Sequence, residues 1–345
     1  MSKSYNIAIL GATGAVGEEL LNGLSERSFP VKSLRLFASK RSAGTVISWD
    51  NRQLKVEDIE EADLSGIEIA FFSAGGATSL AYAGHFIEAG AVVIDNTSAF
   101  RMEEAVPLVV PEVNSDALEG HHGLISNPNC STIQLMAPLK ALHELATLKR
   151  VVASTYQSSS GAGKRAMDEL RDQVIKVLRF EDPPLKVFSR RLAFDVIPQI
   201  GSFEPSGDTN EEEKMINESR KILSIPDLKV SATCVRVPTF IGHCVSLNVE
   251  LEQAFEMDTL IEVFENTEGV LLCAEDEWPN NSDVVGQDDV WVGRLRRDRS
   301  VKSGVNLWVA ADNLRKGAAI NAIQIAEALI ERDLIHVKLK RSSQS

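Results

Sequence analysis

Cysteine is scarce in this sequence: there are four in 345 residues, at positions 130, 234, 244 and 273. None of the spacings makes a C-x-x-C pair or a zinc-finger pattern, so neither a structural metal nor a disulfide framework is expected to organise the chain. Thiols kept reduced in a chain of this size point to the cytoplasm. Long apolar runs are missing too. Nothing approaches the roughly 20 residues that a membrane helix needs. Met1-Ser2-Lys3-Ser4-Tyr5 leads into a short strand and a glycine turn, so no signal peptide is expected. Bases are outnumbered, 36 against 49 acids, for a net charge of −13. That argues against general nucleic-acid binding, yet a few local cations could still build a pocket for a small anion. There is no internal repeat and no low-complexity block. The remaining composition, 44% hydrophobic and 25% charged, is that of a soluble globular chain long enough for two domains.

Asn6-Ile7-Ala8-Ile9-Leu10 is a continuous apolar run of the kind that forms a buried parallel strand. Gly11-Ala12-Thr13-Gly14-Ala15-Val16-Gly17 follows, and then a helix-spaced segment, Glu18 to Leu24. Strand, glycine turn and helix form the context of a dinucleotide site, here with G-x-x-G-x-x-G spacing. Gly11 turns the chain, Gly14 lets the backbone approach a pyrophosphate, and Gly17 allows close helix–strand packing. The second strand, Ser33–Ala38, leads into Ser39-Lys40-Arg41-Ser42. An NAD site would place an acid there for the ribose 2′-hydroxyl; two cations instead predict NADP. Ile67–Phe72 is a further strand. Ser73-Ala74-Gly75-Gly76 is a second small-residue turn placed to cross the cofactor, and Ala91–Asp95 the next strand. The alternation predicts a doubly wound parallel sheet. Arg101, just beyond it, is placed to meet an anion.

From residue 150 the pattern changes to alternating strands at Arg150–Gln157, Val230–Val237 and Cys244–Leu251, with helices at 164–178 and 210–223 between them. This predicts a second, α+β domain with a mixed sheet. Val305–Ala311 is a strand, and 313–332 a long helix able to pack back on the first domain; the tail 338–345 is read as frayed. Ser158–Lys164 resembles a phosphate loop but lacks the first glycine and the Ser or Thr after the lysine. It reads as a flexible turn touching cofactor or substrate.

The chemistry centres on Ser126-Asn127-Pro128-Asn129-Cys130-Ser131-Thr132. Pro128 keeps the entry extended, and Ser131 and Thr132 suit a helix start. Cys130 is thus expected at a helix N-terminus, where unpaired N–H groups and the helix dipole favour a thiolate nucleophile. Pro138 should kink that helix or end its first part. Gln157 closes a strand; Glu211-Glu212-Glu213-Lys214 opens a helix; Arg236 and His243 bracket a turn through Pro238 and Gly242. A thiolate, an imidazole, an amide and several cations suit acyl transfer from an anionic substrate.

In these motifs, and in Tyr156-Gln157-Ser158-Ser159-Ser160-Gly161-Ala162-Gly163, the chain resembles the aspartate-β-semialdehyde dehydrogenase family over nearly its whole length. The resemblance implies a Rossmann-type NADP-binding domain, 1–130 with 313–345, and a catalytic and dimerisation domain, 131–312. It implies reductive dephosphorylation of 4-phospho-L-aspartate by NADPH to aspartate semialdehyde and phosphate. The pathway implied is biosynthesis of lysine (through diaminopimelate), threonine and methionine, in a homodimer or homotetramer. Carried over, Cys130 is the nucleophile, His243 the acid/base and Gln157 the group that orients the substrate. Arg236 clamps the substrate carboxylate and Glu211 its amino group, while Arg101, Lys214 and Asn129 form the phosphate site. Gly11 to Gly17, Arg41, Ser42, Ser73, Gly75, Ser160, Gly161 and Asn313 contact the cofactor. The competing readings are a reductase for N-acetyl-glutamyl phosphate, which shares the glycine turn and the cysteine, and a nucleotide-sensing scaffold without chemistry.

Overall fold

The computed structural model describes residues 3–335, so the tail 338–345 lies outside the described residues. The chain runs β1 (Tyr5–Leu10), α1 (Ala15–Glu26), β2 (Val31–Ala38), β3 (Val46–Trp49), β4 (Arg52–Asp58), β5 (Ile69–Phe72), α2 (Gly76–Glu88), β6 (Val92–Asp95), α3 (Pro111–Asn114) and β7 (Leu124–Ser126). It continues through α4 (Cys130–Ala146), β8 (Leu148–Gln157), α5 (Lys164–Leu178), α6 (Asn210–Ile222), β9 (Lys229–Arg236), β10 (His243–Leu251), α7 (Met257–Glu265), β11 (Val270–Leu272), β12 (Val290–Arg297), β13 (Gly304–Ala311) and α8 (Ile320–Glu331). Two compact units result: Met1–Pro128 with Ala318–Ser345, and Asn129–Gly317. Cys130 and Asn313 therefore belong to the second unit, where the sequence reading had put both in the first.

The first unit holds a sheet in the order β3-β4-β2-β1-β5-β6-β7. Its strands pair in parallel except β3, which runs antiparallel to β4. Both faces are covered, which is why the central strands read as unbroken apolar runs. Along β1, Tyr5, Ile7 and Ile9 pack with Leu20 and Leu24 of α1 and with Ile320, Ile323 and Ala326 of α8. Ala8 and Leu10 pack on the other side with Ala83 and Phe86 of α2. The hairpin β3–β4 was not anticipated. It turns through Asp50 and Asn51 at φ 45° and 60°, the left-handed conformation that a two-residue hairpin turn needs. Trp49 ties it down by donating from Nε1 to the Leu21 carbonyl at 2.7 Å.

The second unit holds a mixed sheet in the order β11-β12-β13-β10-β8-β9. Strands β8 and β9 are parallel and β8 and β10 antiparallel. Strand β12 was also missed by the sequence reading. Helix α4 is buried on almost every side, so it carries no clear apolar stripe. It runs through the buried Pro138 to Ala146 without ending there, contrary to one of the two outcomes expected of that proline. The long helix expected over 313–332 is instead a one-turn π-helix, Arg315–Ala319, followed by α8.

Candidate active site

In the first unit the glycine turn joins β1 to α1. Gly11 has φ +99°, and a Cβ there would come within 2.8 Å of the Ala74 nitrogen. A Cβ at Gly17 would lie 2.7 Å from the Ala12 Cα and overlap the Gly11 carbonyl, so the helix can approach the strand only without a side chain. Gly14 is the N-cap of α1 with no side-chain cap, and only the Gly11 carbonyl, at 3.4 Å, lies near the place of its missing Cβ. Thr13 lies in the turn before it; Ala15, Val16 and Gly17 supply the first N–H groups of the helix, oriented for an anion. Ser73 follows β5, and Gly75 is the N-cap of α2 at φ +97° with open space beside it. Arg41 is exposed and Ser42 half-buried in the turn that follows β2. Arg101 is buried; its Nε donates to the Asn127 carbonyl at 2.9 Å and its Nη2 to the Asn96 carbonyl at 2.8 Å.

In the second unit three strands bring three predicted residues into one row. Gln157 at the end of β8 is in register with Arg236 on β9 and with His243 on β10. Paired positions on neighbouring strands point to the same face, so amide, guanidinium and imidazole stand side by side. All three are buried. Arg236 Nη1 donates to the Ser158 carbonyl at 2.6 Å, which leaves most of its five donors for another partner. Burial lowers the Arg236 pKa while Glu211 and Cys130 oppose that shift; the guanidinium stays charged regardless.

His243 has no solvent exposure. Burial, and then the charge of Arg236, push its pKa down to about 3, so the ring is neutral. The Ser158 backbone N–H donates to its Nδ1 at 3.1 Å. Nδ1 is therefore the acceptor and Nε2 carries the hydrogen. That Nε2 is buried and has no partner among the described residues. A side chain at Gly161 would lie 3.1 Å from it and 3.0 Å from Arg236 Nη1. The glycine thus keeps open the space those two groups share.

Helix α4 begins at Cys130 with Asn129 as its N-cap. The Cys130 Sγ is 3.7 Å from Asn129 Oδ1. Asn129 Nδ2 donates to Glu211 Oε1 at 2.9 Å, Gln157 Nε2 approaches the same oxygen at 3.4 Å, and Lys214 Nζ donates to Glu211 Oε2 at 3.2 Å. Burial alone would raise the Glu211 pKa, but Lys214, the Asn129 amide and Arg236 outweigh it and hold the carboxyl below its usual range. A Cβ at Gly317, on the π-turn, would lie 3.0 Å from the Cys130 Cβ, so this turn packs directly against the cysteine; π-turns recur at functional sites.

The second unit therefore gathers Cys130, Asn129, Gln157, Glu211, Lys214, Arg236, His243, Ser160, Gly161 and Asn313, while Arg101 and the glycine turn lie in the first. The loop after β8 is not the flexible turn expected: Ser158, Ser159 and Ser160 are all buried. Asn313 Oδ1 accepts from Ser158 Oγ, Ser160 Oγ and the Gly242 N–H at 3.1, 3.0 and 2.9 Å, and its Nδ2 donates to Ser160 Oγ at 2.9 Å. Sequence reasoning missed Ser158, and also Glu218, whose Oε2 accepts from the Asn129 backbone N–H at 2.7 Å. The signal for Glu218 was its place seven residues after Glu211, two turns along the same helix face.

Comparison with known proteins agrees with this layout. Residues 6–121 match the family described as semialdehyde dehydrogenase, NAD binding domain, and residues 139–316 that described as semialdehyde dehydrogenase, dimerisation domain. Aspartate-semialdehyde dehydrogenase 2 of Vibrio cholerae is 47% identical over 96% of this chain and 99% of its own. The aspartate-semialdehyde dehydrogenase of Bacillus subtilis is 44% identical over 97% and 100%. A crystal structure of Vibrio cholerae aspartate semialdehyde dehydrogenase II complexed with ASA superposes with a TM-score of 0.94 at 46% identity, covering 96% of this chain and 99% of that one. The chain belongs to the aspartate-semialdehyde dehydrogenase family of oxidoreductases, with an NAD-binding domain followed by a dimerisation domain.

Proposed function

We propose that the protein catalyses NADPH-dependent reductive dephosphorylation of 4-phospho-L-aspartate to aspartate semialdehyde through an acyl-thioester on Cys130, in the route to lysine, threonine and methionine. We assign it to the cytoplasm, as a homodimer or homotetramer. The observation that carries the reading is the buried, unpartnered Nε2 of His243 beside the largely unused donors of Arg236, a polar recess that needs an anionic occupant.

The first unit fits a dinucleotide. Gly11 and Gly17 admit no side chain, Gly14 and Gly75 leave room for phosphate oxygens, and the start of α1 offers N–H groups. Gly11 to Gly17, Ser73 and Gly75 would hold the pyrophosphate region and Arg41 with Ser42 the 2′-phosphate; Ser160, Gly161 and Asn313 keep the cofactor roles that the resemblance implies. When bound, NADPH supplies the hydride that reduces the thioester. The rest is the work of the chain. Arg236 grips the substrate carboxylate, and Glu211 meets its amino group. The Cys130 thiolate attacks the acyl carbon, and the C–O bond to phosphate breaks. Lys214 with Asn129 balances the departing phosphate, and Arg101 carries the further phosphate contact. His243 Nε2–H donates to the oxyanion that develops once the thioester is reduced, while Gln157 orients the same carbon. Collapse of that oxyanion re-forms the C=O, breaks the C–S bond, releases the aldehyde and regenerates the thiolate.

The direct test is the reverse reaction. Purified protein should reduce NADP⁺ only when aspartate semialdehyde and inorganic phosphate are both present; phosphate-independent reduction, or none, would sink the reading. In the same assay Arg41→Asp should shift preference from NADP⁺ toward NAD⁺ by at least about tenfold, about 1.4 kcal/mol. An unchanged ratio of kcat/KM values would remove Arg41 from the cofactor site.

A further inference from the structure

We infer that Glu218 is a positioning residue for the reaction: its buried carboxylate anchors the backbone of Asn129 and so fixes where Cys130 presents its sulfur. The inference rests on the reading of Cys130 as the nucleophile.

Three contacts converge on Asn129. Its backbone N–H is held by Glu218 Oε2 at 2.7 Å, its Nδ2 by Glu211 Oε1 at 2.9 Å, and its Oδ1 faces the Cys130 Sγ at 3.7 Å. The two carboxylates come from one helix. Glu211 and Glu218 stand two turns apart on α6, on the face turned to α4, and both are buried. Asn129 itself is extended, at φ −64° and ψ 143°, and its side chain caps nothing in α4. Its amide is therefore free to be set from outside the helix, and α6 sets it. With the N–H and Nδ2 both fixed, rotation of the peptide and of the side chain is blocked, and Oδ1 is left aimed at the sulfur. Glu211 is assigned to the substrate; Glu218 reaches the backbone of the nucleophile loop itself. Gly317 closes the other side, with its absent Cβ 3.0 Å from that of Cys130.

Displacing a reacting atom by about an ångström costs on the order of a hundredfold in rate. Glu218→Ala should therefore lower kcat by about ten- to a hundredfold, with the KM for NADP⁺ within about twofold. Glu218→Gln keeps an acceptor at the same reach and should recover kcat to within about threefold of the parent. The rate of iodoacetamide alkylation at Cys130, followed by peptide mass spectrometry, should change in Glu218→Ala and return in Glu218→Gln. This second readout needs no turnover, so failure of the inference can be told from failure of the nucleophile reading, which a Cys130→Ser enzyme that still turns over would overturn together with what rests on it. If the alanine variant does not fold, Glu218→Asp takes its place; the shortened carboxylate no longer reaches, and kcat should fall likewise. An unchanged kcat and alkylation rate in the folded alanine or aspartate variant would overturn the inference. So would equal kcat losses in Glu218→Gln and Glu218→Ala.

Discussion

Cys130→Ser abolishes turnover, lowering kcat by at least about four orders of magnitude, while NADPH still binds with its parental affinity. Serine fits the volume at the head of α4 and keeps a hydroxyl where the sulfur was, so the packing against Gly317 and the polar contact to Asn129 survive. What is lost is the nucleophile. A serine hydroxyl is far less acidic than a thiol and is almost wholly protonated at neutral pH. Cys130 is not among the residues assigned to the cofactor, so cofactor affinity should not move. Steady-state rates together with a fluorescence titration of NADPH check both halves. A serine variant within about tenfold of the parent would exclude the covalent route.

Arg236→Lys lowers kcat/KM for aspartate semialdehyde by at least about a hundredfold, about 2.7 kcal/mol, although charge is conserved. One nitrogen of the parental fork is spent on the Ser158 carbonyl at 2.6 Å. That bond anchors the guanidinium and leaves its remaining donors for the substrate. A lysine has a single ammonium: bonded to Ser158 it leaves nothing to grip a carboxylate in two places, and turned to the substrate it leaves a buried carbonyl unpaired. The KM for NADP⁺ should stay within about twofold. A loss smaller than about threefold would mean that Arg236 does not bind the substrate.

Much of this was legible in the chain because some signals are local. The glycine turn, the apolar runs of β1 and β5 and the helix start at Cys130 are each decided within a few residues by backbone sterics and burial, and they stand where the pattern put them. The hairpin β3–β4 carried a local signal too, alternation around Asp50-Asn51, but two short strands beside a basic turn make a weak pattern. What could not be read was distance. That Arg236 and His243 flank Gln157 depends on strand register, which is set by pairing partners elsewhere in the sequence. The seven-position spacing of Arg236 and His243 gave proximity only. Glu218 was hidden for a different reason: an acid on an acidic helix looks solvated, and only packing of α6 on α4 turns it inward. The serines of 158–160 likewise looked like a flexible turn, yet the hydroxyls of Ser158 and Ser160 bond to each other and to Asn313, and that of Ser159 donates to the Thr239 carbonyl.

The Arg236–Gln157–His243 row also has a bearing on folding. Ser158 alone bonds to partners 78 and 85 residues away, and contacts that far apart in sequence form slowly. A refolding chain would regain helix signal well before the three strands find their common alignment. Activity should therefore be among the last properties to return, and a one-residue slippage in β8 would yield a compact, cofactor-binding but inert species.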